Sequence, residues 1–192
     1  DDPAIPHPTD TSNMGAHIAT SRPKPDKVLV DIVDYTLKYK VRSKEALETA
    51  RAQKLDTLEI NIYNSLGAAL ISAERTDEAA RYLATGIERA QACGDRNLLT
   101  KLRLNQSLLA KARGDALVAA DVAGAHREYA RGLAQVTQAL ELARALGNVY
   151  DEAHCLGQTG TMLRLLHSHA DALAILQQTL ALGRSLNEPH VQ

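Results

Sequence analysis

From Asp26 to Glu188 the chain contains no proline: Pro3, Pro6, Pro8, Pro23 and Pro25 crowd into the first 25 residues, and Pro189 stands near the end. Proline disrupts a helix interior because it lacks the backbone donor and its ring collides with the preceding turn. A proline-free stretch of this length therefore leaves long helices open throughout. Of the 192 residues, 31 are Ala and 28 are Leu, with no Phe and no Trp. A core built from Ala, Leu, Val, Ile and a few Tyr suits helices packed at short distance rather than a sheet. The fold class expected is all-α, in one domain or one short repeat array.

Several classes of function fall away on the same grounds. No run approaches the ~20 apolar residues of a membrane span. The opening DDPAIPHPTD lacks the basic and apolar regions of a signal peptide. Cys93 and Cys155 stand far apart and offer neither metal-ligand spacing nor a disulfide framework, so a reduced, cytoplasmic setting is expected. A formal net charge of −1 argues against a dedicated nucleic-acid binder, which would show a basic stripe.

Residues 1–25 have no hydrophobic periodicity and read as a disordered tail, with 1–13 vector-derived or a trimmed extension and Met14 a native start. From Asp26 the pattern changes. Val28, Leu29, Ile32, Val33, Tyr35 and Leu37 predict an apolar helix over 26–40. Val41 to Ser43 make a turn, and Ser43 can cap a second helix over 44–55. Residues 26–56 are thus expected to form an N-terminal helical hairpin.

Beyond it the chain repeats itself. At a constant offset of 93, Gly67 falls on Gly160, Leu70 on Leu163, Ala79 on Ala172 and Leu83 on Leu176. Segments ending ERAQACGD, LARALGN and GRSLNE close successive pairs of amphipathic helices. The units expected are 57–95, 96–148 and 149–188. The final EPHVQ reads as the start of another repeat, so the chain is expected to be a piece of a longer protein. In the middle unit Asn105 stands where the first-helix glycine is expected. About 15 extra residues near 115–128 make either a loop or a helix extension there.

These units resemble the tetratricopeptide repeat family, a helix–turn–helix motif with bulky and small residues in fixed slots. The first unit fills those slots with Tyr63, Leu66-Gly67 and Leu70, then Ala79, Leu83 and Gly86. The third fills them with Leu156, Thr159-Gly160 and Leu163, then Ala172, Leu176 and Thr179. The resemblance implies an α-solenoid, capped by the N-terminal hairpin, that binds extended peptides or helices on its concave face. The ACGD and ALGN endings look like the longer-period variant found in bacterial signalling proteins, beside a cyclase, kinase or DNA-binding domain. A second segment, RPKPDKVLVDIVDYTLKYKVRSKEALETARAQKLDTL at 22–58, is similar to the N-terminal part of the 2-methylcitrate dehydratase family. That enzyme's active site has no counterpart in the rest of the chain.

Carried over position by position, the family's groove falls on Asn61, Asn64 and Ser65 in the first unit. In the third it falls on His154, Gln158, Thr161 and Arg164, and in the degenerate middle unit on Arg103 and Gln106. Asn and Gln can hydrogen-bond a ligand backbone of any sequence, and Arg can grip a carboxylate. The lysine–asparagine clamp for acidic C-termini is not recognisable, which argues against chaperone tails as ligands. Arg96, Lys101, Arg103, Lys111 and Arg113 form a run free of acids. It is either an anion-accepting strip or a solvated face neutralised by acids on neighbouring helices.

No enzyme motif is present. His167 and His169, at i and i+2, would point to opposite sides of a helix, with no third ligand fixed nearby, and they fall at the turn between helices, where polar residues are expected anyway. His154 and Cys155 are adjacent and do not face each other on a helix. No catalytic residue, metal or cofactor is therefore expected. The function expected is protein or peptide binding, as the sensory or scaffolding module of a larger bacterial signalling or regulatory protein. Homo-oligomerisation through end-to-end stacking or the hairpin is the first alternative. A fusion carrying an inactive piece of a dehydratase-like enzyme is the second.

Overall fold

The computed structural model describes residues 44–187, and every regular element among them is a helix. A helix over 44–52 (α1) leads into α2 (Asp56–Ser72), α3 (Thr76–Cys93), α4 (Arg96–Leu117), α5 (Val122–Ala145), α6 (Val149–Leu165) and α7 (His169–Asn187). The tail expected at 1–25, the helix at 26–40, the Ser43 cap and the last residues, 188–192, lie outside the described residues. The second hairpin helix ends at 52, not 55, because Lys54 adopts a left-handed backbone with φ 54°.

That left-handed residue is a recurring device. Lys54, Glu74, Gly94, Gly147 and His167 all have φ between 54° and 70°, and each stands in the turn between two helices. In every case the next N–H reaches back five residues to a carbonyl of the preceding helix. The bonds are Leu55 to Ala50 at 2.8 Å, Arg75 to Leu70 at 2.9 Å and Asp95 to Ala90 at 2.9 Å, then Asn148 to Ala143 at 3.0 Å and Ser168 to Leu163 at 2.9 Å. This is the Schellman closure, which satisfies carbonyls that a helix end leaves orphaned. In two of these turns the residue after the glycine caps the following helix. Asp95 accepts from Leu98 N at 3.0 Å, and Asn148 accepts from Asp151 N at 3.1 Å. The GD and GN endings thus mark a helix stop and a helix start together.

The α4–α5 turn is the exception. It contains no left-handed residue and closes with Asp121 N on Leu117 O at 2.7 Å. The extra residues of the middle unit therefore extend both helices: α4 has 22 residues and α5 has 24, against 17 and 18 in α2 and α3.

Glycines set how closely helices approach within a pair. A Cβ on Gly67 would lie 2.6 Å from Leu83 Cγ, and one on Gly160 would lie 2.8 Å from Leu176 Cγ. The equivalent position in the middle pair is not Asn105, which faces elsewhere. Gly114 takes the role, where a Cβ would come within 2.7 Å of Tyr129 Cδ1. The longer α4 moves the close approach along the helix, out of the register that the outer pairs share.

Each helix from α2 onward packs on the next. In addition α2 touches α4 and α4 touches α6, whereas α3 and α5 do not meet, nor do α5 and α7. The first helices of the pairs are therefore gathered on one side and the second helices splayed on the other. One apolar cluster runs through α2, α3 and α4, centred on Ile60, Leu83, Ile87 and Leu102. A second joins α4, α5 and α6 through Leu104, Val136, Cys155 and Leu156.

Candidate ligand-binding face

The gathered side of α2, α4 and α6 carries the polar positions that the sequence points to. Asn64 of α2 accepts a hydrogen bond from Asn105 Nδ2 of α4 at 2.8 Å. Asn61 is exposed and donates to Thr57 O of its own helix at 2.9 Å, and Ser65 is half-buried beside it. On α6, His154, Gln158 and Thr161 fall within about 60° of one another at 100° per residue. His154 is exposed. Thr161 donates to Gly157 O at 3.0 Å, and Gln158 Oε1 is buried without a partner. A buried amide oxygen with no donor is a group that a ligand N–H would satisfy. Arg164 is exposed near the end of α6, and its charge acts on Tyr129 of α5.

Arg103 and Gln106 do not join this face. Arg103 Nη1 donates to Gln135 Oε1 of α5 at 2.8 Å, about 200° around α4 from Asn105. Gln106 lines a groove of ≈310 Å³ between α3 and α5. The assignment to these residues follows the outer units' register, which the longer α4 does not keep. Asn105 is the residue sequence reasoning missed. Reading its amide as a displaced glycine slot hid its value as a hydrogen-bonding group.

Three of the five side chains of the basic run have partners, and Arg96 and Lys101 are exposed. Lys111 pairs with Asp115 at 2.5 Å, Arg113 with Asp77 of α3 at 2.8 Å, and Arg103 with Gln135. Two of the five cations thus meet an acid, and Arg103 bonds a neutral amide. Asp115 also accepts from Tyr129 OH at 2.9 Å. Burial, followed by that carboxylate, raises the Tyr129 phenol above its ordinary value.

A second cluster joins α1, α2 and α3. Glu59 is buried and accepts from Tyr63 OH at 3.0 Å. It pairs with Arg51 at 2.9 Å and with Arg89 at 3.1 Å, and Arg51 also donates to the Tyr63 hydroxyl. Burial alone would raise the Glu59 carboxyl, but the bonds from Arg51 and Tyr63 and the Arg89 charge outweigh it and hold the acid below its ordinary value. The signal was available in the sequence. Glu59 occupies the same helix stripe as Tyr63, at i and i+4, so a carboxylate there had to be buried and paired.

The histidines fall at the turn between helices, as expected: His167 sits in it with φ 62°, and His169 opens α7. Their ring centroids are 5.8 Å apart, and His126 of α5 comes to 5.3 Å from His167, both edge-on. Among the described residues no group of three or more His, Cys, Asp or Glu is arranged to hold a metal. Cys93 is exposed. Cys155 lies in the core, where burial, with Asp151 and Glu152 adding to it, pushes its thiol up to about 11. A thiol this far from ionised is packing material rather than a nucleophile. No described helix is long and apolar enough to cross a membrane.

No protein-family model matches the chain. Two curated proteins match a short part of it. One is the 2-methylcitrate dehydratase of Salmonella typhi, 51% identical over 45 residues, which cover 23% of this chain and 9% of that protein. The other is the 2-methylcitrate dehydratase of Cupriavidus necator, 52% identical over 40 residues, 21% of this chain and 8% of that protein. The chain thus spans less than a tenth of the length of these relatives. A segment of it is similar to a dehydratase, the family that residues 22–58 resemble.

Proposed function

We propose that this chain is a protein- or peptide-binding module built as a tetratricopeptide-like solenoid, the sensory or scaffolding part of a larger cytoplasmic signalling or regulatory protein of bacterial type. The observation that carries this reading is the gathering of α2, α4 and α6: α2 and α6 each meet α4, while the second helices stay apart. An array of that kind curves with its first helices inside. The inner surface then offers Asn61, Asn64, Asn105, His154 and Gln158, side chains able to bond a peptide backbone without demanding its sequence. Binding there needs no catalytic group and no cofactor.

The test is to pan a random peptide library on the whole chain and measure the selected binders by anisotropy. The triple variant Asn64→Ala, Asn105→Ala and Gln158→Ala should weaken them at least tenfold with the helical circular dichroism unchanged. Binders indifferent to it would overturn the reading.

Two other readings each have an observation behind them. Leu173, Leu176 and Leu180 are exposed along one stripe of α7, which favours homo-oligomerisation. A monomer by light scattering at high concentration would remove it. The dehydratase matches favour a fusion that carries a piece of that enzyme. Turnover of 2-methylcitrate by this chain would replace binding with catalysis, and none is expected.

A further inference from the structure

The extra turns of α4 and α5 open a second surface toward the C-terminal end of α4, about one to three turns beyond Asn105. Where α4 runs past the α2–α3 turn, a cavity of ≈940 Å³ lies between it and Ile71, Glu74 and Asp77. That volume is at the upper end of ordinary ligand sites, ~300–1,000 Å³. It continues into the groove between α3 and α5, the two sharing Arg113 and Glu128. Since α3 and α5 do not touch, no described helix closes the trough. From Gln106 to Leu117 the floor runs ~16 Å at the helical rise, enough for about five residues of extended chain.

Its chemistry is polarised. The α4 side is small and apolar, with Ala112 and Ala116 in the wider part and Ala110 in the narrower one. The wider part is walled by Glu74, Asp77, Asp115 and Glu128 against one cation, Arg113. Asp115 is held by Tyr129 and Lys111, and Glu128 is paired with Arg131. Asp77 meets only Arg113 and is 93% exposed, so that pair is open to exchange. Glu74 projects from the left-handed turn, exposed.

We propose that this trough docks a short extended segment of a partner protein that bears Lys or Arg. Its cations are received by Glu74 and Asp77, and its apolar side chains rest against the alanines of α4. The acidic rim selects against acidic segments by the same charge. This surface is separate from the inner face and does not rest on the function proposed for it.

The probe is a fluorescein-labelled octapeptide of alternating Lys and Leu, with a Glu–Leu octapeptide as control, titrated with the full chain at low and high salt. The basic peptide should bind and weaken with salt, and the acidic one should not bind. The double variant Glu74→Arg and Asp77→Arg, both at exposed positions, should weaken binding by about tenfold or more, as for a lost charge-assisted bond. Glu141→Arg, an exposed acid elsewhere on α5, should retain it. Ala112→Trp, which fills the trough, should also abolish binding. If Ala112→Trp does not fold, the charge variants decide alone. Equal binding of both peptides, or equal loss in Glu141→Arg and the double variant, would overturn the proposal.

Discussion

The pairs α2–α3 and α6–α7 repeat each other in detail yet live in different surroundings. Leu83 sits on Gly67 as Leu176 sits on Gly160. Arg51 Nε reaches Glu59 at 2.9 Å, and 93 residues later Arg144 Nε reaches Glu152 at 2.8 Å. The contacts recur, but their burial does not. Leu83 is 0% exposed and Leu176 43%; Ile87 is 7% exposed and Leu180 55%. The difference is α4, whose Leu98, Leu102 and Leu109 join the cluster around α3. A local pattern settles how two helices of a pair meet. The neighbours decide how much that meeting contributes to stability.

The widest gap between the two pairs should appear on truncating their leucines. Leu83→Ala should cost about 3 kcal/mol, as buried leucines do, whereas Leu176→Ala should cost about 1 kcal/mol because much of the side chain is already in water. Thermal unfolding of the two variants measures this, and equal losses would break the comparison. The repeated ion pair should separate next. Glu59→Gln should cost about 2 kcal/mol, since its bonds are buried, and Glu152→Gln under about 1 kcal/mol, as for a surface pair.

The Glu59 loss carries a pH signature. Its carboxyl is held below the ordinary 4.5, so its contribution is complete above that value and fades as pH falls through the lowered one. Denaturant midpoints of the parent and of Glu59→Gln should therefore draw together only as pH falls below the ordinary 4.5 and through the lowered value. A gap that stayed constant there would contradict the assignment.

Smaller effects sharpen the same contrast. Gly67→Ala should destabilise by about 1 kcal/mol, because the confined Leu83 has nowhere to move. Gly160→Ala should be neutral or slightly stabilising, since Leu176 can turn toward the open face and the helix gains propensity. Last, His167→Gly should add about 0.5 kcal/mol by relieving the left-handed strain, visible as a raised Tm.

Much of the fold was legible in residues whose meaning is local. Gly67 and Gly160 gave the pair geometry, and Gly94-Asp95 and Gly147-Asn148 gave two helix boundaries. What could not be read depended on distant partners. The all-helical content followed from composition and periodicity, but the shift of the close approach from Asn105 to Gly114 required the length of α4. The left-handed turns at Lys54, Glu74 and His167 carry no sequence mark, since only Gly announces that conformation. At the candidate face, Asn61, Asn64, His154, Gln158 and Thr161 fall on the first helices of outer units, where register is kept. Arg103 and Gln106 turn instead toward α3 and α5, and the Asn64–Asn105 bond joins residues 41 positions apart.

The ligand site proposed for this chain is the inner face of α2, α4 and α6. Amide chemical-shift mapping, with a library-selected peptide titrated into isotopically labelled chain, tests this most directly. The largest shifts should fall on Asn61, Asn64, Asn105 and Gln158, with α3 and α7 unmoved. Shifts confined to the exposed stripe of α7, or to the second helices α3 and α5, would contradict it.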